Sequence, residues 1–269
     1  MNFTRKLMVS PGSRVELKKW DPADTLKYTH DQKTEAKLDT TLKRLDALQY
    51  VFYAEKKRAL LIVLQGMDAG GKDGTIRHVM TGINPQGCRV TPFKEPSELE
   101  LAHDFLWRIH AAMPEKGMFG IFNRSHYEDV LIVRVHKLVP KKVWKERYDQ
   151  INAFEKMLAE NHVKILKFFL HISPEEQKKR LEERLTDPHK YWKISEADLA
   201  ERKYWDQYVD AYEDALTRCS TSWAPWFVIP SDHKWFRNLA ISRILLETLE
   251  GFDMGIPQPS ADFKQLKRR

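Results

Sequence analysis

Cysteine is nearly absent from this chain: Cys88 and Cys219 are the only two in 269 residues. Two such thiols offer neither a disulfide framework nor the paired spacing of a zinc site, and a reducing cytoplasm is the expected compartment. No apolar run reaches the ~18 residues that a membrane-spanning helix needs. Met1 to Lys19 is polar and charged, without the apolar stretch of a signal peptide. Internal repeats and low-complexity tracts are missing. So are helix-turn-helix signals, zinc fingers and aromatic RNA-binding motifs, which argues against nucleic acid as partner. Negative charge is in deficit, with 38 acidic residues against 45 Lys and Arg, a net +7. That imbalance points to an anionic partner. Glycine is scarce as well, at 11 residues, yet four of them fall between Gly66 and Gly74.

That cluster reads Gly66-Met67-Asp68-Ala69-Gly70-Gly71-Lys72-Asp73-Gly74. It follows the apolar run Leu60–Leu64 and opens a helical stretch from Thr75 to Met80. Strand, glycine-rich loop and helix is the context of a phosphate-binding loop. Glycines let backbone N–H groups close on a phosphate, the helix N-terminus adds its dipole, and the lysine supplies a point charge. The expected cradle is Gly66, Ala69, Gly70, Gly71, Lys72, Asp73 and Gly74. The Ser or Thr that normally follows the lysine and binds Mg²⁺ is replaced by Asp73. Carboxylates must then carry more of the metal, with Asp68 the candidate ligand. An acid beside bound phosphates is repelled unless a cation lies between them, which implies a divalent metal. The Asp73 side chain reads as an acid complementing the helix dipole.

The composition suits one domain. Residues 1 to about 30 read as an irregular arm broken at Pro11-Gly12 and Asp21-Pro22, followed by a long amphipathic helix from Thr34 to Lys57. Five short apolar runs follow: Leu60–Gln65, Cys88–Phe93, Met118–Asn123, Ile165–Ile172 and Trp226–Ile229. Helical patterns separate them, at 74–82, 97–112, 141–160, 173–186 and 196–218, and a last one covers 235–250. This alternation predicts an α/β fold with a five-stranded parallel sheet covered on both faces. A loose tail is expected over about 252–269. Ligands of such sheets sit beyond the carboxyl ends of the strands.

Three of those ends carry polar clusters. The third run ends in Asn123-Arg124-Ser125-His126-Tyr127-Glu128-Asp129, where phosphate-loop proteins place a metal-ordering acid. Asn123 can order a metal-bound water without adding charge. Arg124 can brace a phosphoryl oxygen, and Glu128 and Asp129 can restore negative charge. His126 reads as a hydrogen-bonded structural residue rather than a general base. The fourth run is followed by Ser173-Pro174-Glu175-Glu176, a capped helix start. That helix carries Arg180 and Arg184 and runs into Asp187-Pro188-His189-Lys190-Tyr191-Trp192-Lys193. These residues form either a cationic lid over about 180–200 or a solvated helix face paired at i,i+4. The fifth run leads into Pro230-Ser231-Asp232-His233-Lys234-Trp235-Phe236-Arg237, which serves as an anion or base contact or as a helix cap.

Together these segments resemble the polyphosphate kinase 2 family. The resemblance rests on the loop Gly66–Ile76, on Phe122 to Asp129, and on the lid segment with Arg184, Asp187-Pro188 and Lys190-Tyr191-Trp192-Lys193. It extends to Ala224-Pro225-Trp226 through Ile229-Pro230 with His233-Lys234, and covers roughly residues 10 to 260. It implies a three-layer α/β/α phosphate-loop kinase fold with a helical lid. It also implies reversible Mg²⁺-dependent phosphoryl transfer between inorganic polyphosphate and a nucleotide, by a homodimer or homotetramer. Carried onto this chain, Asp68, Asn123 and Glu128 are metal candidates, and Lys72 holds phosphate. Arg124 and Arg184 clamp the transferring group, Lys190 and Lys193 guide the anion, and Arg124, Tyr127, Glu128 and Arg184 line the nucleotide. Asn123 stands where relatives restricted to nucleoside diphosphates carry Asp. This resembles the class III subgroup, which phosphorylates AMP and ADP, with GMP and GDP as further candidates. The rivals are an ATP-dependent nucleoside monophosphate kinase of the same fold and a non-catalytic polyanion-binding module.

Overall fold

The computed structural model describes residues 2–193 and 196–258; the side chains of residues 193 and 196–198 lie outside what it describes. The expected loose tail lies outside the described residues from 259 onward. Five strands, β1 (Ala59–Gly66), β2 (Cys88–Pro92), β3 (Phe119–Asn123), β4 (Val163–His171) and β5 (Trp226–Pro230), form one parallel sheet in the order β2-β3-β1-β4-β5. Each lies within two residues of its expected run. The helices are α1 (Phe3–Leu7), α2 (Gln32–Glu55), α3 (Lys72–Val79), α4 (Glu98–Leu101), α5 (Trp107–Ala111), α6 (Ile132–Val135), α7 (Lys141–Glu160), α8 (Pro174–Thr186), α9 (Glu196–Glu201), α10 (Trp205–Cys219) and α11 (Lys234–Glu250).

The strands are legible as unbroken apolar runs because both sheet faces are covered. All eight β1 residues are buried, and the pleat deals them alternately to two cores. Leu60, Ile62 and Leu64 join Phe52 of α2, Val79 of α3 and Leu245 of α11. Leu61 and Val63 join Ile151 of α7 and Leu216 of α10. The result is the α/β/α layering that the sequence predicts. Since β1 has β3 on one side and β4 on the other, the chain reverses its direction of travel across the sheet at β1, and that crevice is where ligands of such sheets bind.

Three expectations are corrected. The 97–112 helix is two short helices, α4 and α5. Asp104 breaks it: its carboxylate accepts from Leu106 N at 2.9 Å and its carbonyl from Trp107 N at 3.0 Å, a local turn that competes with helix. The 196–218 helix is interrupted by a 3₁₀ turn at Arg202–Tyr204. The N-terminal arm is irregular in outline but firmly docked. Phe3 and Leu7 of α1 are buried, and Glu247 of α11 accepts from the backbone N–H groups of Phe3 and Thr4. Val9 N donates to Trp226 O at 2.9 Å, alongside the edge of β5.

One interior strand position is ionic. Lys167 of β4 and Glu155 of α7 are both fully buried and form an ion pair. Lys167 also donates to the Tyr127 hydroxyl at 2.8 Å and to the Cys219 carbonyl. Glu155 accepts from the Tyr127 hydroxyl at 3.0 Å and lies 3.1 Å from His126 Nε2. Burial raises the Glu155 pKa, but Lys167 and His126 outweigh it and hold the carboxyl below its usual range. Its stabilising contribution is therefore present above the ordinary carboxylate pKa and is lost as pH falls through the lowered folded value. Lys167→Met leaves this charge without its main partner and should cost about 3–5 kcal/mol in urea unfolding at neutral pH. A loss below about 1 kcal/mol would show that the pair does not hold the α7 layer to the sheet.

Candidate active site

The loop between β1 and α3 is shaped by two left-handed residues, Ala69 at φ +60° and Gly71 at φ +101°. Alternation of left- and right-handed residues curls successive amides into a concave anion nest. Side chains from α8 hold it from outside. Gln177 Nε2 donates to Asp68 O at 3.0 Å, and Arg180 Nη1 donates to Ala69 O at 3.0 Å and Gly70 O at 3.3 Å. Across a trans peptide the carbonyl and the following N–H point in opposite directions. The amides of Ala69 and Gly71 are thereby turned away from α8.

Arg180 is thus not a lid residue. Only 6% exposed, it also binds the carbonyls of Ser231 and Asp232 and pairs with Glu176 at 2.8 Å. It ties together the phosphate loop, the start of α8 and the loop after β5. Arg237 of α11 packs against Gly71 beside Arg180: an added Cβ would clash with Arg237 Nη1 and lie 3.6 Å from Arg180 Nη1. Arg237 is 2% exposed, and burial followed by the neighbouring Arg180 charge pushes its pKa down to about 10. The sequence singled out the segment ending at Arg237 without recognising that this guanidinium backs the phosphate loop.

Lys72 folds over the loop and donates to Gly66 O at 2.7 Å and Met67 O at 3.3 Å. Burial and then Arg124 lower its pKa, while Asp68, Glu128 and Asp73 oppose the shift. The end of β3 engages the two acids of the loop. Asn123 Nδ2 donates to Asp73 Oδ1 at 2.7 Å, and Arg124 Nη2 binds Asp68 Oδ1 at 2.9 Å. Arg124 is held at φ +64°, a strained conformation for a residue with a side chain. Asp73 therefore does more than complement the helix dipole, because its carboxylate sits on Asn123 in the site. Glu128 is half-buried. Burial raises its pKa, and Arg124, Lys72 and the Gln65 amide pull it back.

The loop and the end of β3 open into a cavity of about 700 Å³ at the carboxyl ends of the strands, with Glu128 behind Arg124 and Lys72 rather than among its lining residues. Asp68, Lys72, Asp73, Asn123, Arg124, Arg184 and Lys190 all line it. Among its lining residues, eight are Lys or Arg and four are Asp or Glu. Lys190 pairs with Asp187 at 3.0 Å. Lys94, just past β2, and Lys234 and Asn238 of α11 complete the wall. Lys94 went unremarked although it follows a strand end, which was its one signal. Among the described residues no group of three or more His, Cys, Asp or Glu side chains converges as a ready metal cage. Asp68, Asp73 and Asn123 nevertheless all line the cavity, and such a hard, sparse oxygen set fits a small divalent cation such as Mg²⁺, which keeps waters and completes its shell with substrate phosphates.

One further site expectation changes. Tyr127 is fully buried, with its hydroxyl committed to Lys167 and Glu155 and its ring edge-on to Trp226 at 4.7 Å. It belongs to the core and offers no surface to a nucleotide. His126 lies beside it in the same buried network, the structural place expected for it. Lys193 falls at the end of the 3₁₀ turn Pro188–Lys193, with its side chain outside what is described.

A phosphate loop at the head of β1, in a 2-3-1-4-5 parallel sheet and faced by a cationic cavity, defines the phosphate-loop phosphotransferases. The family model for polyphosphate kinase 2 matches residues 28–255, and the chain belongs to that family. It is 53% identical to an AMP/ADP-polyphosphate phosphotransferase of Meiothermus ruber, over 95% of this chain and 96% of the relative. It is 45% identical to an ADP-polyphosphate phosphotransferase of Rhodopseudomonas palustris, over 95% of this chain and 92% of that one. The crystal structure of polyphosphate kinase 2 from Arthrobacter aurescens superposes with a TM-score of 0.95 at 42% identity, over 100% of this chain and 96% of that one.

The packing of Arg237 gives a paired prediction. Gly71→Ala forces both a left-handed alanine and a clash, and should cost about 1–3 kcal/mol in chemical unfolding. At Gly74 an added Cβ meets Arg237 Nη2 at 3.4 Å, a contact that a small shift relieves. Gly74→Ala inside α3 should therefore be neutral or stabilising, by up to ~1 kcal/mol. Equal costs at the two positions would contradict this packing.

Proposed function

We propose that this protein transfers a phosphoryl group reversibly from inorganic polyphosphate to AMP and ADP, with Mg²⁺ as the metal. The observation that carries the reading is the pairing at the end of β3. The Asn123 amide and the Arg124 guanidinium each hold a phosphate-loop carboxylate beside Lys72, in a cavity where cations outnumber acids. The high identity to an AMP/ADP-polyphosphate phosphotransferase supports the same acceptors.

The attacking oxygen of a nucleotide phosphate is already ionised, so the chemistry asks for positioning and charge neutralisation rather than a base. Lys72 and the loop amides bind and orient the phosphates. Arg124 and Arg184 brace the group in transfer. Lys190, Lys94 and Lys234 draw the polyanion along the cavity wall, and Lys193 is a further cation proposed from the sequence alone. Asp68, Asp73 and Asn123 would hold Mg²⁺, which offsets negative charge on the phosphates when bound. Glu128 balances the charges of Lys72 and Arg124 and remains a candidate for ordering the metal's water shell. The reading takes the chain as one kinase domain with a lid over about 180–200, in which Arg180 is a fixed brace rather than a moving part, acting in the cytoplasm as a homodimer or homotetramer. GMP and GDP are further acceptors to be assayed.

AMP presents its terminal phosphate one unit nearer the nucleoside than ADP does. A neutral amide at 123 repels a deeply bound phosphate less than a carboxylate would. An Asn123→Asp variant would also set its new charge against Asp73, 2.7 Å away in the native contact.

The decisive assay incubates the protein with Mg²⁺, polyphosphate and either AMP or ADP, then resolves the nucleotides. Wild type should yield ATP from both acceptors. Asn123→Asp should lower the rate with AMP at least tenfold more than the rate with ADP. Lys72→Met should remove about a hundredfold or more of the rate with either. Conversion of ADP alone would refute the dual-acceptor reading. ATP plus AMP reacting without polyphosphate, and polyphosphate failing as donor, would favour an ATP-dependent kinase.

A further inference from the structure

A second cationic cavity, of about 800 Å³, lies at the opposite end of the sheet, and nothing in the phosphoryl-transfer site uses it. It is lined by Lys56, Lys57, Arg58, Lys116, His162 and Lys164, together with Trp223 and Phe252. These cations come from three separate segments: the turn into β1, the turn before β3 and the start of β4. The fold brings them together because Ala59 pairs with Val163 across β1 and β4, and because Gly117 N donates to Arg58 O at 2.8 Å. Lys56 sits at φ +50° as the cap of α2, and its Cγ lies 3.1 Å from where a Gly117 Cβ would stand, so the two turns are seated against each other.

Charge here is incompletely balanced. Glu55 pairs with Lys57 at 2.8 Å and Arg58 at 3.6 Å, so one carboxylate is shared by two cations. The Arg58 guanidinium stacks over the Phe252 ring at 4.8 Å, which fixes its position without neutralising it. Lys164 is half-buried, and desolvation lowers its pKa. Among the described residues, five Lys and Arg side chains gather around one paired acid, which costs electrostatic self-energy that an anion offsets. Unlike the phosphate loop, this wall consists mainly of flexible lysine stems with compact charges. Such a wall suits a flexible polyanion rather than one ligand of fixed shape.

We propose that this cavity is an auxiliary polyphosphate-binding site, holding a distant part of the chain whose end is in the transfer cavity. The proposal rests on the reading of polyphosphate as donor. The two cavities lie at opposite ends of the eight-residue β1, roughly 25 Å apart at ~3.3 Å per residue. A long chain spans that distance and tripolyphosphate does not. Holding the chain at a second point raises the effective concentration of its end at the loop and slows its loss. The auxiliary site should therefore act on KM for long donors and leave the chemical step alone.

The test is the triple variant Lys56→Asn, Lys57→Ala, Lys116→Ala. All three positions are exposed, and Asn tolerates the left-handed conformation of residue 56. KM for long-chain polyphosphate should rise about tenfold, with kcat and the KM for tripolyphosphate unchanged. A second arm measures binding of long-chain polyphosphate to Lys72→Met protein, with and without the triple substitution. There the slope of log affinity against log salt should fall by about three, one per cation removed. Equal changes in KM for long and short donors, or none for either, would overturn the proposal. Retention of long-chain affinity by the triple variant would overturn it too, as would RNA binding at this site in preference to polyphosphate. Failure of wild type to use any polyphosphate would instead refute the donor reading, and the binding arm distinguishes the two outcomes.

Discussion

The close approach of two buried guanidinium groups to the backbone of the phosphate loop governs the site. Arg180 binds the carbonyls of Ala69 and Gly70 from α8, while Arg237 of α11 leaves no room for a side chain at Gly71. Both arginines are nearly buried, and their mutual repulsion contributes to the depressed Arg237 pKa. The loop therefore keeps its curl because α8 and α11 both pack against it. Arg180 also carries the grip to Ser231 and Asp232 after β5. Lys72, Asn123 and Arg124, the groups proposed to act in transfer, thus stand on a frame already fixed, which is what catalysis by positioning requires.

The same logic explains the ionic network behind β3. Ser125, His126 and Tyr127 turn inward to meet Gln65, Glu155 and Lys167, while Asn123 and Arg124 on the same short segment line the site and Glu128 answers the charges of Arg124 and Lys72. Six consecutive residues thus divide between core and site, and the buried network sets where the strained Arg124 stands. Holding Arg124 at positive φ costs free energy that packing elsewhere must offset.

Much of this was legible beforehand, for identifiable reasons. A parallel sheet covered on both faces writes its strands as apolar runs, and Ser173-Pro174 marks a helix start by its own chemistry. The loop was legible because glycine clusters there and almost nowhere else. What escaped depended on orientation. Arg180 and Arg184 are one turn apart on the same helix and both line the cavity, and only packing decides that the first also braces the loop. Tyr127 adjoins site residues in sequence, yet the 3₁₀ turn at His126–Asp129 points it into the core. One sign was present: Lys167 interrupts an apolar strand, and an interior lysine demands a buried acid and hydrogen-bonding neighbours. The Asn123–Asp73 contact links residues 50 apart and could not be read from spacing.

The central claim is that this cage of cations and amides is built for a phosphate chain, and the thermal shift produced by that chain measures it most directly. The midpoint of unfolding is followed with Mg²⁺, with and without tripolyphosphate, and against sulfate at matched ionic strength. Tripolyphosphate at about a hundredfold its dissociation constant should add ~2.7 kcal/mol to wild-type stability, while sulfate adds little and Lys72→Met loses most of the gain. No shift with tripolyphosphate, or a shift that sulfate or the Lys72→Met protein reproduces, would contradict the account.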